Sequence, residues 1–233
     1  MKYIPILYST PMVQALLKDI KLMTRRTKGL DFINKNSNLF RYDSCDDSYG
    51  DYDRREPDAT LHWFENIDEN GKELEKYVSV KCPYGKVGDV LWVRETFVKV
   101  ITIYGGEAFI YKADDNCYKD TIEDWQGWKP SLFMPKAACR IFLEITDIRV
   151  ERLKDISYED ASKEGVKCVN VHVIVLYKDY FDKNNTRGFE GENNTIKSFE
   201  SLWQSINGKE SWDKNPFVWV ISFKRIEKPT DFC

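Results

Sequence analysis

The sequence predicts an α+β fold built around a curved, strand-based core. Three observations carry this: an alternating apolar and polar run at 90–98, a long apolar run at 138–150 whose register shifts partway, and a closing run at 217–226 that sets Phe217, Trp219, Ile221 and Phe223 on one face. The shift falls between Ile145 and Ile148 and marks a bulge or bend. Bent strands of this kind suit a closed or nearly closed barrel. The 233 residues show neither an internal repeat nor an interdomain linker, so a single domain spanning 1–233 is expected. A hydrophobic fraction of 42%, with 13 Phe, 13 Tyr and 7 Trp, can fill a sizeable core and excludes wholesale disorder.

Taken in order, residues 3–8 are apolar and read as a first strand. A short amphipathic helix follows, with Thr10 as N-cap, Pro11 in the first turn, and Met12, Val13, Leu16 and Leu17 at helical spacing. That helix runs into Lys21-Leu22-Met23-Thr24-Arg25-Arg26, which the periodicity reads as a helix end. Cations gathered at one point make a site for phosphate or carboxylate, and the arginines disfavour protonation of the lysine. A lysine with a lowered pKa, three residues from a threonine, can serve as base for that hydroxyl. The alternative is a solvated basic helix end that complements the macrodipole.

Residues 27–76 are polar and acidic, with Asp43, Asp46, Asp47, Asp51, Asp53 and Asp58 among Tyr, Ser and Gly. No spacing there fits a calcium loop, so the stretch reads as a solvated insertion holding a short hairpin around 61–64. In the strand at 90–98, Leu91, Val93 and Phe97 share a face with Glu95, while Trp92, Arg94 and Thr96 share the other. A carboxylate on an apolar face needs a cation. Either Arg25 or Arg26 supplies it, or Glu95 lies at an exposed strand end.

Residues 106–113 read as another strand, and 125–131 as an aromatic, turn-prone segment. At 157–165 a short helix carries a capping box of Ser157 and Asp160 and ends at Gly165. Glu164 then sits at the helix C-terminus, where the dipole disfavours negative charge; a carboxylate so placed tends toward a raised pKa suited to acid–base work, unless Lys163 or Lys167 holds it at the surface. Residues 171–180 are apolar, strand or helix. A second hydrophilic insertion spans 182–194, and Thr195 caps a helix with Ile196, Phe199, Leu202, Trp203 and Ile206 at helical intervals.

The net charge of −3 and pI near 5.6 argue against a polycation, so any nucleic-acid contact must come from a local basic patch. Six cysteines without a CxxC pair, and only His62 and His172, argue against a zinc site, and no cofactor is expected. With no leader sequence or membrane span evident, free thiols in a cytoplasmic protein are the simplest expectation.

Four stretches in order resemble the ASCH family of the PUA-like superfamily, especially its prophage-type members: PILYSTPMVQALL with KLMTRR, CPYGKVGDVLWVRETF, WKPSLFMPKAACRIFLEITDIRVERLKDISYEDASKEGV, and LWQSINGKESWDKNPFVWVISF. The resemblance implies a small β-barrel with flanking helices and a cleft lined by the Lys-x-x-Thr-x-Arg segment. Small bacterial members are N4-acetylcytidine amidohydrolases that use a lysine, a threonine and a glutamate, which fall on Lys21, Thr24 and Glu164 here. Two departures stand out: Asp19 replaces the usual glycine and brings a negative charge near Lys21, and Leu22 replaces a small residue.

The functional expectation is therefore a nucleic-acid or modified-nucleobase binding protein with RNA as first candidate ligand, its contacts drawn from Arg25, Arg26, Trp92, Arg94 and Glu95, with Trp125 or Trp128 as further stacking faces. Two alternatives stand beside it: a hydrolase that removes an acyl group from N4-acylated cytidine through Lys21, Thr24 and Glu164, and a phage accessory module without catalysis.

Overall fold

The computed structural model describes residues 1–45, 59–101, 106–114, 127–171, 174–182, 188–189 and 194–232. Its centre is a five-stranded sheet of β1 (Tyr3–Leu7), β2 (Met23–Arg26), β6 (Val90–Arg94), β9 (Phe142–Arg152) and β13 (Phe217–Ile226), in the order β1-β6-β9-β13-β2. Only the β1–β6 pair is parallel; the other three are antiparallel. The three strands that alternation picks out therefore lie side by side, with Leu91, Val93, Ile141, Leu143, Trp219 and Ile221 all buried. The expected bend is present: Ser222 pairs with Asp147 but Phe223 pairs with Ile145, which leaves Thr146 as the extra residue of a bulge.

No closed barrel is present among the described residues. The edge strands β1 and β2 are not hydrogen-bonded to each other, and a mixed α+β arrangement with an open, five-stranded sheet takes its place. Instead the Arg26 side chain crosses between the edges and donates to the Leu7 carbonyl at 3.0 Å.

Several boundaries differ from expectation. Ser9, not Thr10, occupies the N-cap of α1 (Thr10–Leu17). The basic stretch is not a helix end: after Asp19 turns the chain with a φ of 54°, residues 23–26 become β2, paired with β13 and buried on both faces at Met23, Thr24 and Arg25. The run at 90–98 breaks at Glu95 and Thr96, and β7 (Phe97–Ile101) pairs instead with β8 (Glu107–Tyr111) in a separate two-stranded sheet.

The largest correction concerns 27–76. Helix α2 (Asp31–Lys35) and an antiparallel sheet of β3 (Phe40–Cys45), β4 (Leu61–Ile67) and β5 (Glu73–Lys81) occupy most of its described residues. Leu30, Ile33, Phe40 and Phe64 enter the main core, and Phe64 meets Phe217 edge-on at 5.3 Å. Four large apolar side chains anchor this unit, and the polar residues around them mask the pattern. Asp46, Asp47, Asp51, Asp53 and Asp58 lie outside the described residues, as do Trp125, His172 and most of 182–194.

Helix α3 (Tyr158–Lys163) begins as expected, with the Ser157 hydroxyl accepting from the Asp160 amide at 3.1 Å. The apolar run after it forms a hairpin, β10 (Cys168–Val171) and β11 (Ile174–Lys178), joined by β12 (Gly188–Phe189). Helix α4 (Asn194–Asn207) lies against α3, β11 and β12. No helix among the described residues is long and apolar enough to cross a membrane.

Because Phe64 ties the β3–β5 sheet to the main core, Phe64→Ala should lower unfolding free energy by about 3–5 kcal/mol in urea titration. A loss near zero would mean that this sheet is a detachable appendage.

Candidate active site

A cavity of about 470 Å³ opens between β1 and β2, the two edges of the main sheet, and α4 lines it further. Its buried floor holds Tyr8, Lys21, Thr24, Arg25 and Glu164; Arg26, Lys28 and Arg94 bring cations toward solvent. Tyr84, Phe199 and Trp203 add aromatic surface.

The floor is organised by one carboxylate. Lys21 Nζ donates to Glu164 Oε2 at 2.8 Å and to the Glu164 carbonyl at 2.7 Å. Arg25 Nη1 donates to Glu164 Oε1 at 3.2 Å. Arg25 is itself held from behind: its Nη2 donates to Glu151 Oε1 at 2.5 Å and Asp160 Oδ2 at 3.1 Å. Arg149 closes the far side of this network on Asp147, Glu151 and Asp160. The Lys21 and Arg25 side chains are 2% and 0% exposed, so neither charge could be tolerated without these carboxylates.

Local sequence explains the geometry. Glu164 is the C-cap of α3, and Gly165 follows with a φ of +84°, so the chain can turn at once toward β10. A side chain at Gly165 would also collide with Lys21, since a Cβ would stand 2.9 Å from the Lys21 Cβ. Leu22 hydrogen-bonds to this same turn, its amide donating to the Lys163 carbonyl at 2.8 Å. Asp19 is diverted from Lys21 by Arg225, which donates to its carboxylate at 3.1 Å.

Burial pushes the Lys21 amine below its ordinary value, against the pull of Glu164 and with the Arg26 and Arg25 charges adding to the depression. Burial raises the Tyr8 phenol to about 12, with the Arg26 charge opposing. The Arg26 guanidinium sits 5.0 Å from the Tyr8 ring centroid and Lys21 Nζ sits 5.8 Å from it, both as cation–π neighbours.

The structure thus brings Lys21, Thr24, Arg25, Arg26, Arg94 and Glu164 to one cavity and leaves Trp92 and Glu95 outside it. Trp92 is core: it packs with Phe142 and Phe232 in a second apolar cluster on the opposite face of β6. Glu95 does not meet Arg25 or Arg26. Once the strand breaks, it pairs with Arg140, whose Nε and Nη2 donate to Oε1 and Oε2 at 2.9 and 3.0 Å. Arg25 faces three carboxylates, which makes it a support for Glu164 more than a ligand contact. Trp128 does not line the cavity either.

Sequence reasoning misses Tyr8, Tyr84, Phe199 and Trp203. Phe199 and Trp203 are legible only as helix core residues, and Tyr8 only as the end of an apolar strand. Among the described residues no cluster of His, Cys, Asp and Glu could hold a metal ion.

Glu164→Gln would strip Lys21 of its carboxylate partner and should cost about 3–5 kcal/mol of stability. Adding Lys21→Met should restore more than half of that loss in the same denaturation assay, because no buried ammonium would then lack a counter-charge. Comparison with known proteins returns no family model, no curated protein and no solved structure that matches this chain.

Proposed function

We propose that the cavity binds a nucleotide or modified nucleoside, free or within RNA. The observation that carries this reading is the composition of the cavity wall: aromatic faces and cations surround a space of about 470 Å³ in which Glu164, the one lining acid among the described residues, is already engaged on both oxygens. Aromatic faces suit a base and the outer cations suit a phosphate. The resemblance to ASCH proteins points the same way.

A second reading, acyl hydrolysis, is favoured by one observation: an amine with a lowered proton affinity shares the cavity floor with the Thr24 hydroxyl. In that reaction the Thr24 oxygen bonds to the acyl carbon as its proton passes to neutral Lys21. Collapse then breaks the carbon–nitrogen bond, and the departing amine takes the proton back from Lys21. Water releases the acyl group from Thr24 in a second half-reaction. Glu164 keeps Lys21 in place, since both its oxygens accept hydrogen bonds in the resting site.

Calorimetry with cytidine 5′-monophosphate, cytidine and a short single-stranded RNA tests the binding reading. Arg26→Ala should weaken the monophosphate about tenfold and cytidine by less than threefold; equal losses would remove Arg26 from phosphate recognition. Absence of any heat from the wild type would overturn the pocket's assignment to nucleotides.

Mass detection of products from N4-acetylcytidine tests catalysis. Lys21 must be neutral to accept the threonine proton, and its folded pKa lies below 10.5. Activity should therefore rise with pH, with a midpoint below the ordinary lysine value. Lys21→Arg should lose turnover while ligand still binds, because arginine holds its proton. Unchanged turnover in Thr24→Ala would end the nucleophile reading.

A further inference from the structure

Four residues lining the cavity carry a buried polar atom with no partner at hydrogen-bond geometry among the described residues: Tyr8 Oη, Arg25 Nε, Arg94 Nε and Trp203 Nε1. Thr24 and Arg26 stand near the Tyr8 oxygen as donors and draw its pKa down against burial, so the hydrogen of the phenol is the part left unspent. An unpaired buried polar atom is destabilising, and native proteins keep few of them. Four of the eight such atoms among the described residues line this one space. Indole and guanidinium nitrogens can only donate. The phenol of Tyr8, protonated across the physiological range, has a hydrogen to give as well. Glu164, the acid of the cavity, has both oxygens occupied by Lys21 and Arg25. The unspent hydrogen-bonding capacity of these walls is therefore donating.

We infer that Tyr8 Oη and Trp203 Nε1 are ligand-recognition groups, and that the ligand buries an end rich in acceptor oxygens against them. Tyr8 is 3% exposed and Trp203 is 6% exposed, so neither donor can rely on bulk water. The two come from different elements that line the cavity: Tyr8 directly follows β1, where its amide donates to the Arg94 carbonyl at 3.2 Å, and Trp203 belongs to α4. A ligand that satisfies both would bridge the edge of the main sheet to the helix. The acceptor could be a base carbonyl or a phosphate oxygen, and the two sources share this chemistry. The inference rests on the nucleotide reading above and adds to it the face that the ligand buries.

Tyr8→Phe provides the test, because it deletes a single hydroxyl and keeps the ring under Arg26. Melting temperature is followed for the wild type and the variant, alone and with cytidine, cytidine 5′-monophosphate or inorganic phosphate. If the hydroxyl awaits a ligand, the variant melts a few degrees higher without ligand, since an unmet buried donor has been removed. It should also bind the effective probe at least tenfold more weakly. Loss of response to cytidine would identify a base carbonyl as the acceptor, whereas loss confined to the two phosphate-bearing probes would identify phosphate oxygen. A variant that melts lower without ligand has lost a partner within the protein, which overturns the inference. So does a wild type that responds to a probe that Tyr8→Phe binds equally well. A wild type indifferent to all three probes overturns the nucleotide reading and takes this inference with it.

Discussion

Burial of the Lys21 ammonium is the constraint on which the site depends. A cation with 2% of its side chain exposed can persist as a charge only where counter-charge and acceptors are fixed in place. Glu164 supplies a carboxylate and a backbone carbonyl from one residue, so the end of α3 must sit against the Lys21 turn. That contact needs Gly165, because the next residue has no room for a side chain. Arg25 holds the second carboxylate oxygen, and Glu151, Asp160 and Arg149 extend the pairing from there toward solvent. Helix α3, strand β2 and strand β9 are thereby locked to one another by charge as well as by packing.

The open edge of the sheet gives this network a use. Had β1 and β2 paired, the space between them would have been filled by a ladder of backbone hydrogen bonds. They stay apart, joined through Arg26, and the gap becomes a pocket whose floor is charged and whose walls are aromatic. Two protein edges that would otherwise invite another strand are instead turned toward a cavity.

Much of this was legible in the residues. Strong alternation located β6, β9 and β13, and the displaced apolar register in β9 located its bulge. The Ser157 cap and Gly165 located α3, which put Glu164 at a helix terminus. Alternation could not show that Glu95 would turn away at the strand break, since its partner Arg140 lies 45 positions further along. Trp92 looked available because indoles stack on bases, yet three neighbouring aromatics and apolar residues claimed it for a core. The β3–β5 sheet was hidden because its few apolar anchors sit among charges, one of which, Glu65, is itself buried beside Arg41. Tyr8 and Trp203 carried only a packing signal, as a strand end and a helix core residue: what distinguishes them is a missing partner, a property that only three-dimensional packing reveals.

The pairing of β2 with β13 also orders events in time. Residues 23–26 find their neighbours among residues 219–222, nearly two hundred positions later. Contacts of such long sequence separation form slowly, because the entropy of closing the intervening loop must be overcome first. During synthesis the segment bearing Thr24 and Arg25 leaves the ribosome early and then waits, its edge unpaired, while nearly all the intervening chain is made. The cavity is consequently one of the last features to mature, and a chain stalled before β13 would lack both the partner of β2 and the Phe217 and Trp219 rings on which the β3–β5 sheet packs.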